Sequence, residues 1–513
     1  MATSSSIPAT QPAEKKAGLA HWANRVLEEC DKAEAGFASD PVHDLRVAIR
    51  RCRSMADGFL SVDPDPAWKQ MKRLAKPLFS ALGDLRDTQV MMEWVTKFAP
   101  EGDAIASQLC QELATRESSL KDAAKKALAD FDRKRWAALN DHLAKRTDRV
   151  PPEGLVFRHV ALERWIDARE LHRHALRNRS GAAWHQLRIG IKRFRYTVEN
   201  FLPELHSRWG KDLRSLQDAL GEVHDFDVLR AQLRTHSGLP AGERKYWHDR
   251  ILAERQKRLD LYRAKMLGAK SLWNAWRAEL PSGAELEEAA LEKLRTWAAF
   301  LDPAPAHTRL VTRLALRLYD ELLQCGIAHI SRDERRILEA GAWLHEVGRS
   351  GSGNGHGAGH RRRGAKLVDK LTPPLGWSTQ DLAGVSLLVR YHRGPLPDET
   401  KKNFAGLSAR RTREVMTLIG ILRLANAFDA DRKQHVSDIG ITRQDGLLVI
   451  HAKGLQPMSR NAELIARARH LLETMCEIGI VVRPTATVVR TNEEVRRLPS
   501  PARSTRLSYK DRR

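Results

Sequence analysis

From Ala17 to about Ala299, apolar residues recur at three- and four-residue steps, the spacing that gathers them on one face of an α-helix. No strand-like alternation interrupts the run. Breaks fall at Asp63-Pro64-Asp65-Pro66, at Pro151-Pro152 and at Ser237-Gly238-Leu239-Pro240, where Pro and Gly stop helices. Residues 300–306, around Leu301-Asp302-Pro303-Ala304-Pro305, read as a linker. A second helical region, 307–435, begins at His307 and fades near Lys433. Beyond it, Gly440 to Ile450 reads as two short strands about an Asp445-Gly446 turn. A helix from Asn461 to Ile478 and a strand at Ile480–Val482 complete a small α+β end over 436–490. The polar start, 1–16, and the basic end, 491–513, read as disordered tails. The predicted class is mostly α.

Within the first helical region the pattern repeats. HDLRVAIRRCRSMADGFL begins at His43, and HQLRIGIKRFRYTVENFL begins at His185, an offset of 142. Each is followed by a related element holding Leu82-Gly83 or Leu220-Gly221, and these glycines are offset by 138. Two elements recurring in order indicate duplication, with halves of about 17–150 and 151–299. On a helix, His43, Arg46, Arg50 and Arg53 share one stripe, opposite Leu45, Ala48, Cys52 and Phe59. In the second copy His185, Arg188, Lys192 and Arg195 face away from Leu187, Ile191, Phe194 and Val198. Each copy thus presents a column of cations ~15 Å long. Lys72 and Lys76 add to the first, Lys211 and Arg214 to the second. Like charges at these spacings repel by a few tenths of a kcal/mol per pair. A column built twice, with its His in the same place, implies an anionic partner.

The bulk charge agrees: 87 Lys+Arg against 64 Asp+Glu give a net +23. A field of that sign favours a polyanion. Aromatic residues are 6% of the chain, and the columns carry nothing to stack on or read a base, so nucleic acid is expected to bind only non-specifically. A phosphate chain without bases needs only Arg forks, Lys charges and His donors. Five cysteines without paired spacing make no disulfide framework, which suits a reduced cytoplasm. No apolar run of membrane-spanning length appears, and no membrane partner is expected.

The first region resembles the CHAD domains, whose pattern is a His followed by spaced Arg and Lys on a helix, repeated twice, each with a downstream LG-x-x-x-D element. The matching pieces are His43 to Val47, Arg50 to Arg53, Leu82-Gly83 through Asp87, His185 through Tyr196, and Leu220-Gly221 through Asp225. The resemblance covers about 17–299. It implies two four-helix bundles related by a pseudo-twofold, enclosing a basic channel for inorganic polyphosphate, and a place on polyphosphate granules in the bacterial cytoplasm. On that reading Asp87 and Asp225 orient neighbouring Arg side chains, and Gly83 and Gly221 let two helices approach closely.

The second region sets His307, His345-Glu346, His356, His360 and His392 in a different constellation. It resembles an HD-type metal site, in which His and Asp on neighbouring helices hold divalent cations. The segments HTRLVTRLALRLYDEL, ILEAGAWLHEVGR, HRRRGAKLV, VSLLVRYHRGPLP and ILRLANAFD resemble the C-terminal HD-like domain of the exopolyphosphatase and guanosine pentaphosphate phosphohydrolase family, over about 305–485. Three departures stand out: Glu346 replaces the usual Asp, Asn426 the late Asp, and Arg363 a further His. The actin-like half that hydrolyses phosphate in that family is absent. The expectation is a degenerate HD module, no cofactor, no bound metal and no catalysis. The alternative is a metal-dependent phosphohydrolase acting on polyphosphate or phosphorylated nucleotides, with His307, His345 and Glu346 as ligands.

Overall fold

A computed structural model describes residues 18–99, 103–235, 241–326, 334–350, 359–398, 400 and 402–485. The Ser237–Pro240 break, His356 and both tails lie outside the described residues. The protein is mostly helical, with one small three-stranded sheet near the C-terminus. It divides into two compact units: residues 1–302 with 370–382, and residues 303–369 with 383–513.

The first unit begins with α1 (Leu19–Glu34), α2 (Ser39–Phe59), α3 (Ala67–Leu74), α4 (Lys76–Phe98), α5 (Ala104–Ala129) and α6 (Arg133–Thr147). It continues with α7 (Leu155–Asn178), α8 (Gly181–Phe201), α9 (Pro203–Thr235), α10 (Ala241–Met266), α11 (Leu272–Ala278) and α12 (Gly283–Ala299). The two copies of the sequence repeat are α2 with α4, and α8 with α9. Their offsets differ because α2 is followed by a loop and the short α3, whereas α9 starts two residues after α8 with Pro203 and runs unbroken past Gly221. The Asp63–Pro66 break is that loop. It is pinned by fully buried Asp63, which accepts from Trp68 Nε1 at 2.8 Å and from Arg146 Nε and Nη2 at 2.6 Å each.

Every apolar residue expected on the inner stripes of α2 and α8 is buried. Where these helices approach, a Cβ on Gly58 would lie 2.3 Å from the Phe201 ring, so only glycine fits. Phe201 stacks on Phe157 at 4.1 Å, and both rings meet Phe59 edge-on. Beside them the Arg51 guanidinium of one copy donates to the Glu199 carboxylate of the other at 2.5 Å. A separate cluster of Trp94, Phe98, Phe226 and Trp247 ties α4 to α9 and α10.

The second unit holds α13 (Pro305–Gln324), α14 (Arg335–Leu344), α15 (His360–Val368), most of α16 (Thr379–Tyr391) and α17 (Ala409–Ala427). Strands β1 (Asp438–Gln444) and β2 (Leu447–Lys453) pair antiparallel through the expected turn. There Asp445 (φ 49°) and Gly446 (φ 75°) both take the left-handed conformation that a two-residue hairpin demands. β3 (Ile480–Pro484) adds parallel to β2. The single helix expected over Asn461–Ile478 is two, α18 (Arg460–Ala468) and α19 (His470–Cys476). They part at Arg469, whose guanidinium donates to the Ile480 carbonyl at 2.6 Å, and α19 stops at left-handed Glu477. No helix among the described residues is long and apolar enough to cross a membrane.

Candidate functional site

The cations predicted on α2 and α8 come together where the two helices meet. Arg46 donates to the Leu82 carbonyl at 2.8 Å and lies 3.9 Å from Asp87. Arg50 stands over the Tyr196 ring, and the half-buried Lys192 is crowded electrostatically by Arg50, Arg188 and Arg46. Burial, reinforced by those three guanidiniums, pushes the Lys192 ammonium down to about 7. Arg50, Arg188 and Lys192 enter no ion pair among the described residues, and the buried Nε of Arg188 has no hydrogen-bond partner there. A cavity of about 460 Å³ opens beside them, lined in part by Arg50, Arg53, Lys72, Lys192 and Arg193.

The remaining predicted residues divide. Arg53 donates to the Lys72 carbonyl at 2.8 Å, and Lys72 itself is paired with Asp57, so these two sit on one wall of that cavity. Lys76 is exposed at the first turn of α4. Lys211 and Arg214 line a different hollow on α9, with His206 and Asp218. Arg195 is buried and committed to Glu199 at 3.5 Å, in the network that also holds Arg51.

The two histidines mark equivalent places. His185 Nδ1 lies 3.2 Å from His224 Nδ1, three residues after Gly221. His43 has Arg86, three residues after Gly83, as its strongest charged neighbour. Burial, then the cations nearby, holds both imidazoles below their ordinary value. Sequence reading overlooked Arg86 and His224, although the repeat offset that aligned the glycines aligns these two as well. The side chains that face the two glycines are arginines of the columns. A Cβ on Gly83 would sit 3.1 Å from Arg46 Nη1, so the absence of a side chain there gives that guanidinium room; one on Gly221 would lie 3.9 Å from Arg188 Nε, an ordinary contact. Asp225 lies near Arg188; burial raises its carboxyl to about 6.

The second unit gathers its own polar centre. His307 on α13, His345 and Glu346 after α14, His360 at the start of α15 and His392 after α16 are all buried. Ligand atoms of His307, His345 and Glu346 lie within 4.8 Å of one another, as do those of Glu346, His360 and His392. The imidazoles are oriented from behind. His345 Nδ1 donates to the Ala342 carbonyl at 2.6 Å, His392 Nδ1 to the Val389 carbonyl at 2.8 Å, and His307 Nδ1 to the Asp429 carboxylate at 2.7 Å. Each Nε2 is therefore turned toward the centre of the cluster. His307 Nε2 faces His345 Nε2 at 3.3 Å and Asn426 Oδ1 at 3.2 Å, and His392 Nε2 lies 3.8 Å from Glu346 Oε1. Imidazole nitrogens and a carboxylate gathered this closely form a ligand set that a cation can bridge, and backing by carbonyl and carboxylate is the usual support of ligating histidines. Imidazoles with one carboxylate suit a first-row divalent ion.

Two features temper that fit. Glu346 Oε2 is held by Arg349 and Arg432; burial disfavours its charge, but His345 and these arginines outweigh burial and hold the carboxyl below its usual range. Asn426 is neutral. Arg363, by contrast, donates from Nε to the Gly348 carbonyl at 3.1 Å. Asp429, absent from the sequence reading, is the carboxylate that orients His307. The run Asn426-Ala427-Phe428-Asp429, one turn past the aligned position, was the available clue.

Residues 17–234 match the CHAD domain family, and residues 269–453 match Ppx/GppA phosphatase, domain III. The second match takes in α11 and α12, which belong to the first compact unit. The crystal structure of the CHAD domain from the plant Ricinus communis is similar at 22% identity, over 48% of this chain and 88% of that one, with a TM-score of 0.38. No curated protein matches. The chain is a CHAD domain, of a kind associated with polyphosphate binding, followed by a Ppx/GppA phosphatase domain III.

Proposed function

We propose that the chain binds inorganic polyphosphate along the face where α2 and α8 meet, without hydrolysing it. The observation that carries this reading is the convergence of Arg46 and Arg50 from one repeat with Arg188 and Lys192 from the other, Asp87 being, among the described residues, the carboxylate within ion-pair distance of the group. Two like charges ~6 Å apart cost about 3 kcal/mol at an effective dielectric of ~20, and a bound polyanion reverses that sign. His43, His185 and His224 can join as donors once phosphate stabilises their protonated forms. On this reading the protein accompanies cytoplasmic polyphosphate granules, and nucleic acid competes only through charge.

The test is a titration with long-chain polyphosphate. The triple substitution His43→Ala, Arg46→Ala, Arg50→Ala and the matching set at His185, Arg188 and Lys192 should each weaken binding at least tenfold, while exposed Arg173→Ala should not. Affinity should fall steeply with added salt. Unchanged affinity in both sets sinks the reading.

The imidazoles converging on Glu346 in the second unit favour a second reading, a metal-dependent phosphohydrolase to which the CHAD domain delivers polyphosphate. His307, His345 and Glu346 would hold the ion, with His360 and His392 facing the same carboxylate, and the ion would supply Lewis-acid polarisation of a phosphoryl oxygen. Phosphate release is to be followed with Mn²⁺, Fe²⁺ and Mg²⁺ in turn. Release that disappears on His345→Ala replaces the first reading's claim of no hydrolysis; absence of release under all three ions retains it.

A further inference from the structure

We infer that the meeting point of α2 and α8 is a proton-coupled anion site, in which seating polyphosphate takes up a proton at Lys192. The inference rests on the polyphosphate reading above and adds a group that adjusts its own charge.

Geometry makes Lys192 that group. Arg46 and Arg50 face it from α2, Arg188 stands one turn earlier on α8, and Asp87 on α4 is the acid that opposes them. The cavity beside it adds Arg53, Lys72, Arg164 and Arg193; its acid, Asp57, is already paired with Lys72. Without an anion, this crowd is too positive, and something must give. Guanidinium cannot shed its proton at any physiological pH, whereas a half-buried ammonium can. Of the two lysines at this cavity, Lys72 is held by Asp57, so Lys192 is where the excess charge leaves. Its depressed proton affinity, about 7, agrees. A phosphate chain entering the cavity reverses the local potential, and the neutral amine becomes ammonium, donating to a phosphate oxygen. The proton comes from solvent, and no bond of the ligand is broken.

The sign follows from linkage. The free chain holds Lys192 largely neutral above pH ~7, and the complex holds it charged, so affinity is greatest below that pH. Above it, affinity falls by up to tenfold per pH unit until the value of the complex is reached. His43, His185 and His224 lie below their ordinary value, so they add uptake at lower pH and little near pH ~8.

The experiment is calorimetric titration of the full chain with long-chain sodium polyphosphate at about pH 8, in two buffers of unlike ionisation enthalpy. A long chain keeps its own terminal, weakly acidic groups few. Wild type should take up close to one proton per bound site. Lys192→Arg should bind with uptake near zero and a flat pH profile; Lys192→Met should also lose the uptake and bind more weakly. Melting curves confirm that both variants are folded. Binding by the wild type without uptake, or uptake that survives both substitutions, overturns the inference and leaves the polyphosphate reading standing. No binding at all removes both.

Discussion

Glu199 carries more of the first unit than its sequence neighbourhood suggests. It is almost wholly enclosed, and two arginines close on it, Arg51 from the other repeat at 2.5 Å and Arg195 one turn back at 3.5 Å. Breaking such a buried set by removing one partner typically costs ~3–5 kcal/mol, because it leaves an uncompensated charge. Glu199→Ala should therefore lower the unfolding free energy by about that much, measured by denaturant titration. Burial opposes its charge, but Arg51, Arg195 and His206 prevail and hold the carboxyl below its ordinary value. A carboxyl so depressed stabilises fully above its unfolded pKa of about 4.3, and the contribution is lost as pH falls through the folded one. Melting temperature should drop below pH ~4 in wild type and less steeply in Glu199→Gln. Gly58 offers the steric counterpart. Gly58→Ala gains up to ~1 kcal/mol in helix propensity but drives a methyl into the Phe201 ring, and should destabilise by a net ~1–3 kcal/mol in chemical denaturation.

Helix ends show how far local chemistry reaches. Asp103 caps α5 by accepting from the backbone of Ile105 and Ala106, and its other oxygen accepts from Trp247 Nε1 of α10 at 3.1 Å. The cap is a local arrangement, an Asp before a helical run accepting the orphan N–H groups. The Trp247 bond is not, because 144 residues separate the partners. Asp103→Ala should cost ~1–2 kcal/mol for the cap and strand a buried indole N–H besides. Asp103→Asn, which keeps an acceptor oxygen, should recover much of the loss in the same melting assay. The division of the predicted 461–478 helix at Arg469 had no Pro or Gly to announce it; the carbonyl that engages Arg469 belongs to β3.

The first compact unit is not one continuous stretch of chain. Residues 370–382 return to it, with Leu375 packed on its core and its N–H donated to the buried His159 Nε2 at 3.1 Å. Burial, with Lys293, holds that imidazole down at about 3, so it stays a neutral acceptor. A chain ended at Asp302, as the Pro- and Ala-rich linker invites, exposes part of the core and orphans His159. It should be less stable than the intact chain by ~1–3 kcal/mol, measured by thermal unfolding. A chain that keeps residue 375 while carrying His159→Leu should show a smaller loss.

Periodicity and charge are local properties, so they were legible: the helical class, the duplication, the inner stripes of α2 and α8, the turn at Asp445-Gly446, and cations on the opposite faces of both copies. A 3.6-residue repeat states which side of a helix is buried, but not against what. Packing alone could decide that Arg195 leaves its column for a buried acid, that Arg86 and His224 stand beside the repeat histidines, and that Gly83 makes room for the Arg46 guanidinium. It alone brought His307 to Asp429, 122 residues on, and turned four imidazoles toward one carboxylate. Those outcomes depend on distances of a few ångströms between segments far apart in the chain, set by which side chains the core admits.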